Sequence, residues 1–494
     1  MQSPDDTEGR ALRRIARGAV QTLGSAYAGR FVNWVAIVVL TRALAPEDFG
    51  NVALAASTLA LVAALRNFGL HNALLHYQRV DDLAPTHFLL NTALGAITAL
   101  GAIALAWFFV DGEYGRSVAT ALSVFAAFDL LRATAQTAET QLRHDLEFGS
   151  LAKAHALALI AAAAAGIAVA YLGGGIWALI LSHSTYGIGY VLVYCVLLWR
   201  RRFPFRFRLS DFDPAEGRRL LRYGVWIWLG VILQTFLLNF DRLAVYIILD
   251  PRTLGFYDRA HVFAQLPTGA LTHALIGIMI TVFARYHEDR QQLSNAFRRT
   301  LRWIPRSAVP LSVLLAIEIP VLTSLLLGDE WLPLAPILRY LLLFSICRPL
   351  QEAALALLRS IGDPRGSAGF LAVQAGVLLI AVPLLTRTLA VEGTALAMSL
   401  TALAGTILAL RRCSLYVEVP WMRSLAPPLL AALAAAGARL AAHPFIADFP
   451  PAAALVLGVL LFVSSYCTAL LVCEGRTLLT ELRTLRQVMS RDPE

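Results

Sequence analysis

The stretch Val39-Leu-Thr-Arg-Ala-Leu-Ala-Pro-Glu-Asp-Phe-Gly-Asn51 closes one long apolar run and opens the next. Pro46 is disfavoured inside a helix, and Gly50 permits a sharp turn of the backbone. Asp48 has a side chain suited to capping the helix that follows. The stretch therefore predicts a tight hinge between two antiparallel apolar helices.

The hinge pattern recurs 205 residues later, in Ile247-Ile-Leu-Asp-Pro-Arg-Thr-Leu-Gly-Phe-Tyr257. Pro46 then corresponds to Pro251, and Gly50 to Gly255. The alternative is chance similarity, because short turns between apolar helices recruit Pro and Gly in any case. We favour an internal repeat, in which these four residues form two equivalent hinges on the same face of a membrane.

The composition is that of an integral membrane protein. Of 494 residues, 58% are hydrophobic and 15% are charged, whereas a soluble domain has about 25% charged residues. The positive-inside effect explains the net charge of +9, so nucleic acid is not an expected partner. The cysteines and histidines lack ligand spacing, so no metal or other cofactor is expected.

Apolar runs of about 20 residues are long enough to span a bilayer. The last two runs in this chain are rich in alanine, which leaves twelve or thirteen spans as alternatives to fourteen. The fourteen predicted spans are 18–43, 51–72, 86–110, 117–138, 152–172, 176–199, 220–249, 256–283, 301–327, 333–359, 367–389, 391–411, 424–442 and 452–473.

The charges of the connecting segments predict the orientation in the membrane. Arginines concentrate in alternate connectors and in both terminal segments, so both termini are expected in the cytoplasm. Asp213-Pro-Ala-Glu216, at the end of the longest connector, predicts a capped helix start. The predicted divisions are a basic segment (1–17), an N-lobe with helices 1–6 (18–199), a cytoplasmic linker (200–219), a C-lobe with helices 7–12 (220–411), helices 13 and 14 (412–473) and a cytoplasmic tail (474–494).

The first hinge resembles a signature of the polysaccharide transporter (Wzx-type oligosaccharide flippase) family of the MOP superfamily. The resemblance extends over about residues 18–410, although the family pattern has an acid near Asn67. Further stretches that resemble the family, in the expected order, are Arg66-Asn-Phe-Gly-Leu70, Gln141-Leu-Arg-His-Asp-Leu-Glu-Phe148, Asn239-Phe-Asp-Arg-Leu243, Leu254-Gly-Phe-Tyr-Asp-Arg-Ala260, Leu327-Gly-Asp-Glu-Trp331 and Leu358-Arg-Ser-Ile-Gly-Asp-Pro364.

The resemblance implies an all-α polytopic membrane protein with two six-helix lobes, arranged as parallel repeats around a central cavity. It implies a transporter rather than an enzyme, a flippase that moves a polyprenyl-diphosphate-linked oligosaccharide across the bacterial inner membrane by alternating access. The expected partners are that lipid-linked substrate, membrane lipids, and the polysaccharide polymerase or glycosyltransferase machinery.

Charged residues inside spans are the candidates for function, because each costs about 2.5–3.5 kcal/mol at the bilayer centre. Arg30 lies near mid-membrane, and Tyr27 and Asn33 share its helix face. The candidates for a substrate cavity are Tyr27, Arg30, Asn33, Arg132, Arg242 and Arg348, and those for ion coupling are Asp129, Asp241 and Glu318. The alternative is structural pairing, of Asp129 with Arg132 and of Arg348 with Glu352.

Three other functions are compatible with an apolar chain of this kind. An ion-coupled exporter of the same superfamily would favour a cavity rich in carboxylates. A membrane polysaccharide polymerase or ligase would usually carry a long outer loop, and the outer connectors here are short. A lipid II flippase fits the motifs less well. The glycan, the lipid carrier and the coupling ion are not encoded in any recognisable pattern.

Overall fold

The computed structural model describes residues 32–68, 70, 80–108, 110, 115–145, 148–200, 213–265, 279, 282–283, 285–286 and 288–490. Within these ranges all regular structure is helical and no strand occurs. The helices are α1 (Val32–Ala43), α2 (Pro46–Ala64), α3 (Val80–Trp107), α4 (Gly115–His144), α5 (Phe148–Tyr171), α6 (Ile176–Arg200), α7 (Pro214–Ile248), α8 (Pro251–Ala264), α9 (Arg290–Leu326), α10 (Leu334–Ser360), α11 (Pro364–Cys413), α12 (Trp421–Ala441) and α13 (Pro451–Ser490).

Every predicted span overlaps at least one of these helices. In the described part of the chain, eight helices are long and apolar enough to cross a membrane: α3, α4, α7, α9, α10, α11, α12 and α13. The shorter apolar segments of α1, α5 and α6 also fall on predicted spans. The polytopic all-α architecture is confirmed, and the count of fourteen spans stays a prediction.

The starts of two helices test the capping predictions. Asp213 accepts hydrogen bonds from the backbone N–H groups of Ala215 (2.8 Å) and Glu216 (3.3 Å), so the predicted cap of α7 is confirmed. The predicted cap by Asp48 is wrong, because α2 begins at Pro46 after Ala45, without a side-chain cap. Proline is favourable at the first helical position, so the helix starts before Asp48 and the carboxylate lies in its first turn.

Helix α11 contains two predicted spans and a break between them. Leu389 and Ala390 leave the helical conformation, and Ala390 has a φ of 52°. A methyl group at Gly393 would overlap the carbonyl oxygen of Leu385, so glycine lets the chain turn back closely at this point. The break coincides with the boundary predicted between residues 389 and 391.

The chain divides into two compact units, Met1–Arg259 with Leu371–Thr394, and Ala260–Phe370 with Ala395–Glu494. In the first unit, α3 packs along α4, α5 packs along α6, and α2 packs on α4 and α7. In the second unit, α9 packs on α10, α12 and α13. The predicted lobe boundaries stay a prediction.

The two hinges meet within the first unit. Pro46 and Pro251 begin α2 and α8, as the repeat predicts. A methyl group at Gly50 would overlap the carbonyl oxygen of Pro251, and one at Gly255 would overlap that of Pro46. The absence of a side chain at both positions therefore lets the two first turns touch backbone to backbone.

Polar contacts fasten α12 and α13 to α9 in the second unit. Arg306 of α9 lies 2.5 Å from the carboxylate of Glu474, and its backbone carbonyl accepts a hydrogen bond from the Tyr466 hydroxyl at 2.9 Å. Val309 and Phe462 are buried in the apolar cluster beside these contacts. The last two long helices are thus packed parts of this unit.

Candidate functional site

A polar cavity of about 250 Å³ lies within the first unit. The end of α2 and parts of α3, α4 and α7 surround it. Its polar and charged lining residues are Arg66, Asn67, Asn91, Asp129, Arg132, Gln136, Glu139 and Thr235. Two guanidinium groups, two carboxylates and three amides in one concave site are the kind of convergent polar set that binds a ligand.

The cavity wall is built around an ion pair between two helices. Arg66 follows the C-terminal end of α2, where a cation is favourable. Its two terminal nitrogens lie 2.7 and 3.0 Å from the two carboxylate oxygens of Asp129 on α4. The side chains are only 11% and 13% exposed. This bidentate geometry fixes the plane of the Arg66 guanidinium at the cavity surface.

An aromatic stack holds the end of α2 against α7. The rings of Phe68 and Trp228 are 4.7 Å apart and within 9° of parallel. The indole Nε1 of Trp228 donates a hydrogen bond to the carbonyl oxygen of Leu65 at 3.0 Å. The last turn of α2 leaves that carbonyl without a helical partner, so the indole satisfies it and positions Arg66 and Asn67 next to it.

Close packing of α3 and α4 forms the opposite wall. Asn91 donates a hydrogen bond from its side-chain nitrogen to the carbonyl oxygen of Ala133 at 2.6 Å. A methyl group at Gly95 would lie 2.8 Å from the Ala133 side chain, so glycine permits the close approach of the two helices. This approach brings Arg132 and Gln136 of α4 towards the same cavity as Asn91.

The predicted cavity residues are distributed over several places. Arg132 lines the cavity, and Asn33 is exposed on α1. Tyr27 and Arg30 lie outside the described residues. Arg348 pairs with Glu352, the neighbour that the i, i+4 spacing predicted. The binding roles of these residues stay predictions.

Arg242 belongs to a second polar cluster in the first unit. Its Nε lies 2.9 Å from a carboxylate oxygen of Asp258, which also contacts Arg259 at 2.5 Å. Next to this group, the hydroxyl of Tyr257 donates a hydrogen bond to Asp241 at 2.6 Å. Two stretches that carried the family resemblance, 239–243 and 254–260, therefore contact one another across the turn between α7 and α8.

The three predicted coupling residues have different partners. Asp129 pairs with Arg66. Glu318 is 2% exposed and pairs with Arg439 of α12 at 2.7 Å. Asp241 is fully buried, with Tyr257 on one oxygen. Its other oxygen has no hydrogen-bond partner among the described residues.

Sequence reasoning missed most of this cavity. Arg66, Asn67, Asn91, Gln136 and Thr235 are not among the residues that the sequence predicts for a substrate cavity. The signal that could have found the site is the Arg66-Asn-Phe-Gly-Leu70 stretch, which combines a cation, an amide and a stacking aromatic. In the described residues no group of three His, Cys, Asp or Glu side chains could hold a metal ion.

Comparisons with known proteins agree with the helical architecture. The model of a family described as "Polysaccharide biosynthesis protein" matches residues 39–336. The lipopolysaccharide biosynthesis protein WzxC of Escherichia coli (strain K12) is 22% identical over 342 residues, which is 67% of this chain and 65% of WzxC. The succinoglycan biosynthesis transport protein ExoT of Rhizobium meliloti (strain 1021) is 26% identical over 330 residues, 63% of this chain and 62% of ExoT. The matched region thus spans less than two thirds of either relative.

Solved structures of MOP-type transporters have the same fold. The inward closed conformation of the lipid II flippase MurJ matches 92% of this chain and 98% of its own, with a TM-score of 0.73 and 13% identity. The inward-facing conformation of a multidrug resistance MATE family transporter of the MOP superfamily matches 81% of this chain and 98% of its own, with a TM-score of 0.62 and 18% identity. At these identities the likeness establishes the fold alone.

Proposed function

Because this chain belongs to the family of polysaccharide biosynthesis proteins, we propose that it is a flippase for a polyprenyl-diphosphate-linked oligosaccharide. The names of its relatives WzxC and ExoT connect them with lipopolysaccharide and succinoglycan biosynthesis. Transport would proceed by alternating access, without a covalent step. We place the protein in the bacterial inner membrane with both termini in the cytoplasm, where it would receive substrate from glycosyltransferases and deliver it to a polymerase.

The observation that carries this proposal is the polar lining of the cavity in the first unit, which includes arginine side chains. Asp129 compensates Arg66, and Arg143 lies 2.7 Å from Glu139. The two guanidinium groups and two carboxylates that line the cavity balance in formal charge, so the lining offers charged and neutral hydrogen-bonding groups side by side. Arginine binds phosphate through two parallel N–H groups, so the Arg132 guanidinium in this lining suits a phosphate of the substrate.

The neutral lining groups suit the sugar part of the substrate. Asn67, Gln136 and Thr235 offer both donors and acceptors to hydroxyl groups. An ion-coupled exporter of small molecules is the alternative within the same fold. The many amide and hydroxyl groups of the lining favour a phosphorylated saccharide over a lipophilic cation.

For coupling, we propose Asp241 among the three predicted carboxyl groups. Asp129 and Glu318 each face a guanidinium group at 2.7 Å. Asp241 faces the Tyr257 hydroxyl, and the nearby charges are Arg242 and Asp258, which bind each other. An ionised carboxyl group costs more free energy when it is buried without a paired cation, so proton binding at Asp241 would remove that cost.

A complementation experiment tests the flippase function. A cell that lacks this protein should accumulate lipid-linked oligosaccharide on the inner leaflet and lose a surface or secreted glycan. Arg132→Ala should reduce export by about tenfold or more, since one charged hydrogen bond contributes roughly 1.5–3 kcal/mol. Arg116→Ala, on the exposed opposite end of the same helix, is the matched control and should export normally.

Protein abundance must be measured in parallel, so that loss of export is not loss of protein. Normal glycans in the deletion strain, with no second flippase present, would show that the proposed function is wrong. Full export by an abundant Arg132→Ala variant would remove the cavity from the proposal while leaving the function intact.

A further inference from the structure

An apolar groove of about 530 Å³ lies within the second unit. Helices α9, α10 and α12 and the C-terminal end of α11 form its walls. Its side chains are mainly aliphatic, among them Leu301, Leu343, Ile346, Leu403 and Ile407. All four helices are apolar enough to cross a membrane, so a groove of this composition is suited to hydrocarbon chains.

The groove has one polar end. Arg411, Ser414 and Trp421 line it there, and both Arg411 and Trp421 are exposed. Tryptophan is enriched where a bilayer meets water, and arginine is enriched on the cytoplasmic side. The predicted topology places residues 411–421 between spans twelve and thirteen, on that side. The polar end therefore lies at the level of lipid headgroups.

The charged residues next to the groove form ion pairs with other residues, and Arg411 is the arginine that lines the groove. Arg412 lies 2.7 Å from Asp363, and Glu418 lies 3.3 Å from Arg298. The backbone N–H of Glu418 also donates a hydrogen bond to the Ser294 hydroxyl at 3.1 Å. These contacts tie the segment after α11 to α9 and fix the shape of the entrance.

The depth of the groove matches a single leaflet. From Arg411 to Leu403 the groove follows eight residues of α11, or about 12 Å at 1.5 Å per residue. Half of a hydrocarbon core is about 15 Å thick. A phospholipid chain fits this depth, whereas a long polyprenyl chain would extend far beyond it.

We propose that this groove binds one anionic phospholipid of the cytoplasmic leaflet, with its phosphate on Arg411 and its acyl chains against α9, α10 and α11. The Ser414 hydroxyl and the Trp421 indole would contact the glycerol and headgroup region. The bound lipid would fill the space between the end of α11 and α12 and so support the packing of α12. The proposal is independent of the transported substrate.

Native mass spectrometry of the purified full-length chain tests this site. The protein would be titrated with phosphatidylglycerol and, as the neutral comparator, with phosphatidylcholine. We expect one phosphatidylglycerol to bind about fivefold more tightly, the factor expected for one arginine at an anionic lipid surface. Arg411→Gln should abolish this preference. Arg423→Gln, an exposed arginine on α12 that does not line the groove, is the matched control and should keep it.

A second variant tests the groove itself. Ile407→Trp, at an exposed position of the lining, should weaken the binding of both lipids while leaving Arg411 in place. Equal effects of the Arg411 and Arg423 variants would overturn the proposal in favour of diffuse attraction to basic residues. Binding without headgroup preference, or tighter binding of polyprenyl phosphate that displaces phosphatidylglycerol, would also overturn it.

Discussion

Two buried carboxyl groups in this chain have different hydrogen-bond partners, and the partner determines how much a substitution of the carboxyl group destabilises the protein. Glu318 accepts hydrogen bonds from Arg439 with both oxygens, at 2.7 and 3.3 Å. A methyl group at Gly458 would overlap the Arg439 guanidinium, so α13 leaves space for this arginine. Asp241 instead relies on the Tyr257 hydroxyl. The first pair is ionic and the second contact is a hydrogen bond that a neutral group can replace.

We therefore expect Glu318→Gln to be far more damaging than Asp241→Asn. The first change leaves the Arg439 charge buried without its partner, which destabilises by about 3–5 kcal/mol. The carboxamide of the second can still accept from Tyr257, so the loss should stay below about 1.5 kcal/mol. Thermal unfolding of the detergent-solubilised variants measures both.

Glu418→Gln, which removes one partner of an exposed pair, is the control and should change stability by about 1 kcal/mol or less. Equal destabilisation by Glu318→Gln and Asp241→Asn would contradict the distinction between them.

For the proposed coupling role, Asp241→Asn should leave an abundant protein whose transport no longer responds to a pH gradient. If the Asp241→Asn variant responds to the pH gradient as the unchanged protein does, Asp241 is not the coupling residue, and Asp129 and Glu318 are then the candidates.

Sequence spacing found one ion pair within a helix, that of Arg348 with Glu352, and missed the pairs between helices. Arg348 and Glu352 are four residues apart, so helical geometry alone brings them together. Arg66 and Asp129 are 63 residues apart, and Glu318 and Arg439 are 121 apart. Such pairs depend on which helices pack together, and a single sequence does not contain that information in its periodicity.

At the scale of helices, the contact between the two hinges predicts strict limits on side-chain size. Gly50→Ala and Gly255→Ala should each destabilise by about 1–3 kcal/mol, because the new methyl group overlaps a carbonyl oxygen of the other hinge. Gly437→Ala in α12 is the matched control, since no described atom would lie within 4 Å of the methyl group that it adds. That change should be neutral or slightly stabilising. Hinge variants as stable as the control would refute the close contact.

The start of α11 predicts a dependence on pH. The Asp363 carboxylate accepts from Arg412 at 2.7 Å and from the backbone N–H of Gly366 at 2.9 Å. The hydrogen bond from Arg412 is the main reason that the pKa of Asp363 lies below its ordinary value. A lowered pKa means that the folded state is stabilised above the unfolded value of about 3.9, and that this stabilisation is lost as pH falls through the folded value.

Asp363→Asn isolates this effect, because asparagine is also a good helix cap. We expect the variant to unfold at a lower temperature than the unchanged protein at pH 7. The difference between the two should shrink as the pH falls below about 4. A difference that stays constant between pH 7 and pH 3 would mean that the ion pair with Arg412 contributes nothing.

Across the whole molecule, the sequence predicts where the helices lie better than it predicts which helices pack against one another. Apolar runs of bilayer length determine where helices lie, so each predicted span overlaps a helix, and the break at Ala390 coincides with a predicted boundary. The start of α2 differs, because Pro46 governs it before Asp48 can act as a cap. The cavity around Arg66 depends on the joint packing of α2, α3, α4 and α7, which the hydrophobic pattern does not specify.

The predicted orientation gives the last test, and it concerns the molecule as a whole. Arginines in alternate connectors place the segment around Glu418 in the cytoplasm and the turn around Glu330 outside. Single cysteines would replace either glutamate in a background without native cysteines. Both positions are exposed, so each should react once a reagent reaches it.

In intact cells a membrane-impermeant maleimide should label Glu330→Cys at once and Glu418→Cys only after permeabilisation. The opposite order would invert the topology, and with it the assignment of the Arg411 groove to the cytoplasmic leaflet. Labelling of both positions from outside would mean that the number of spans between them is even rather than odd.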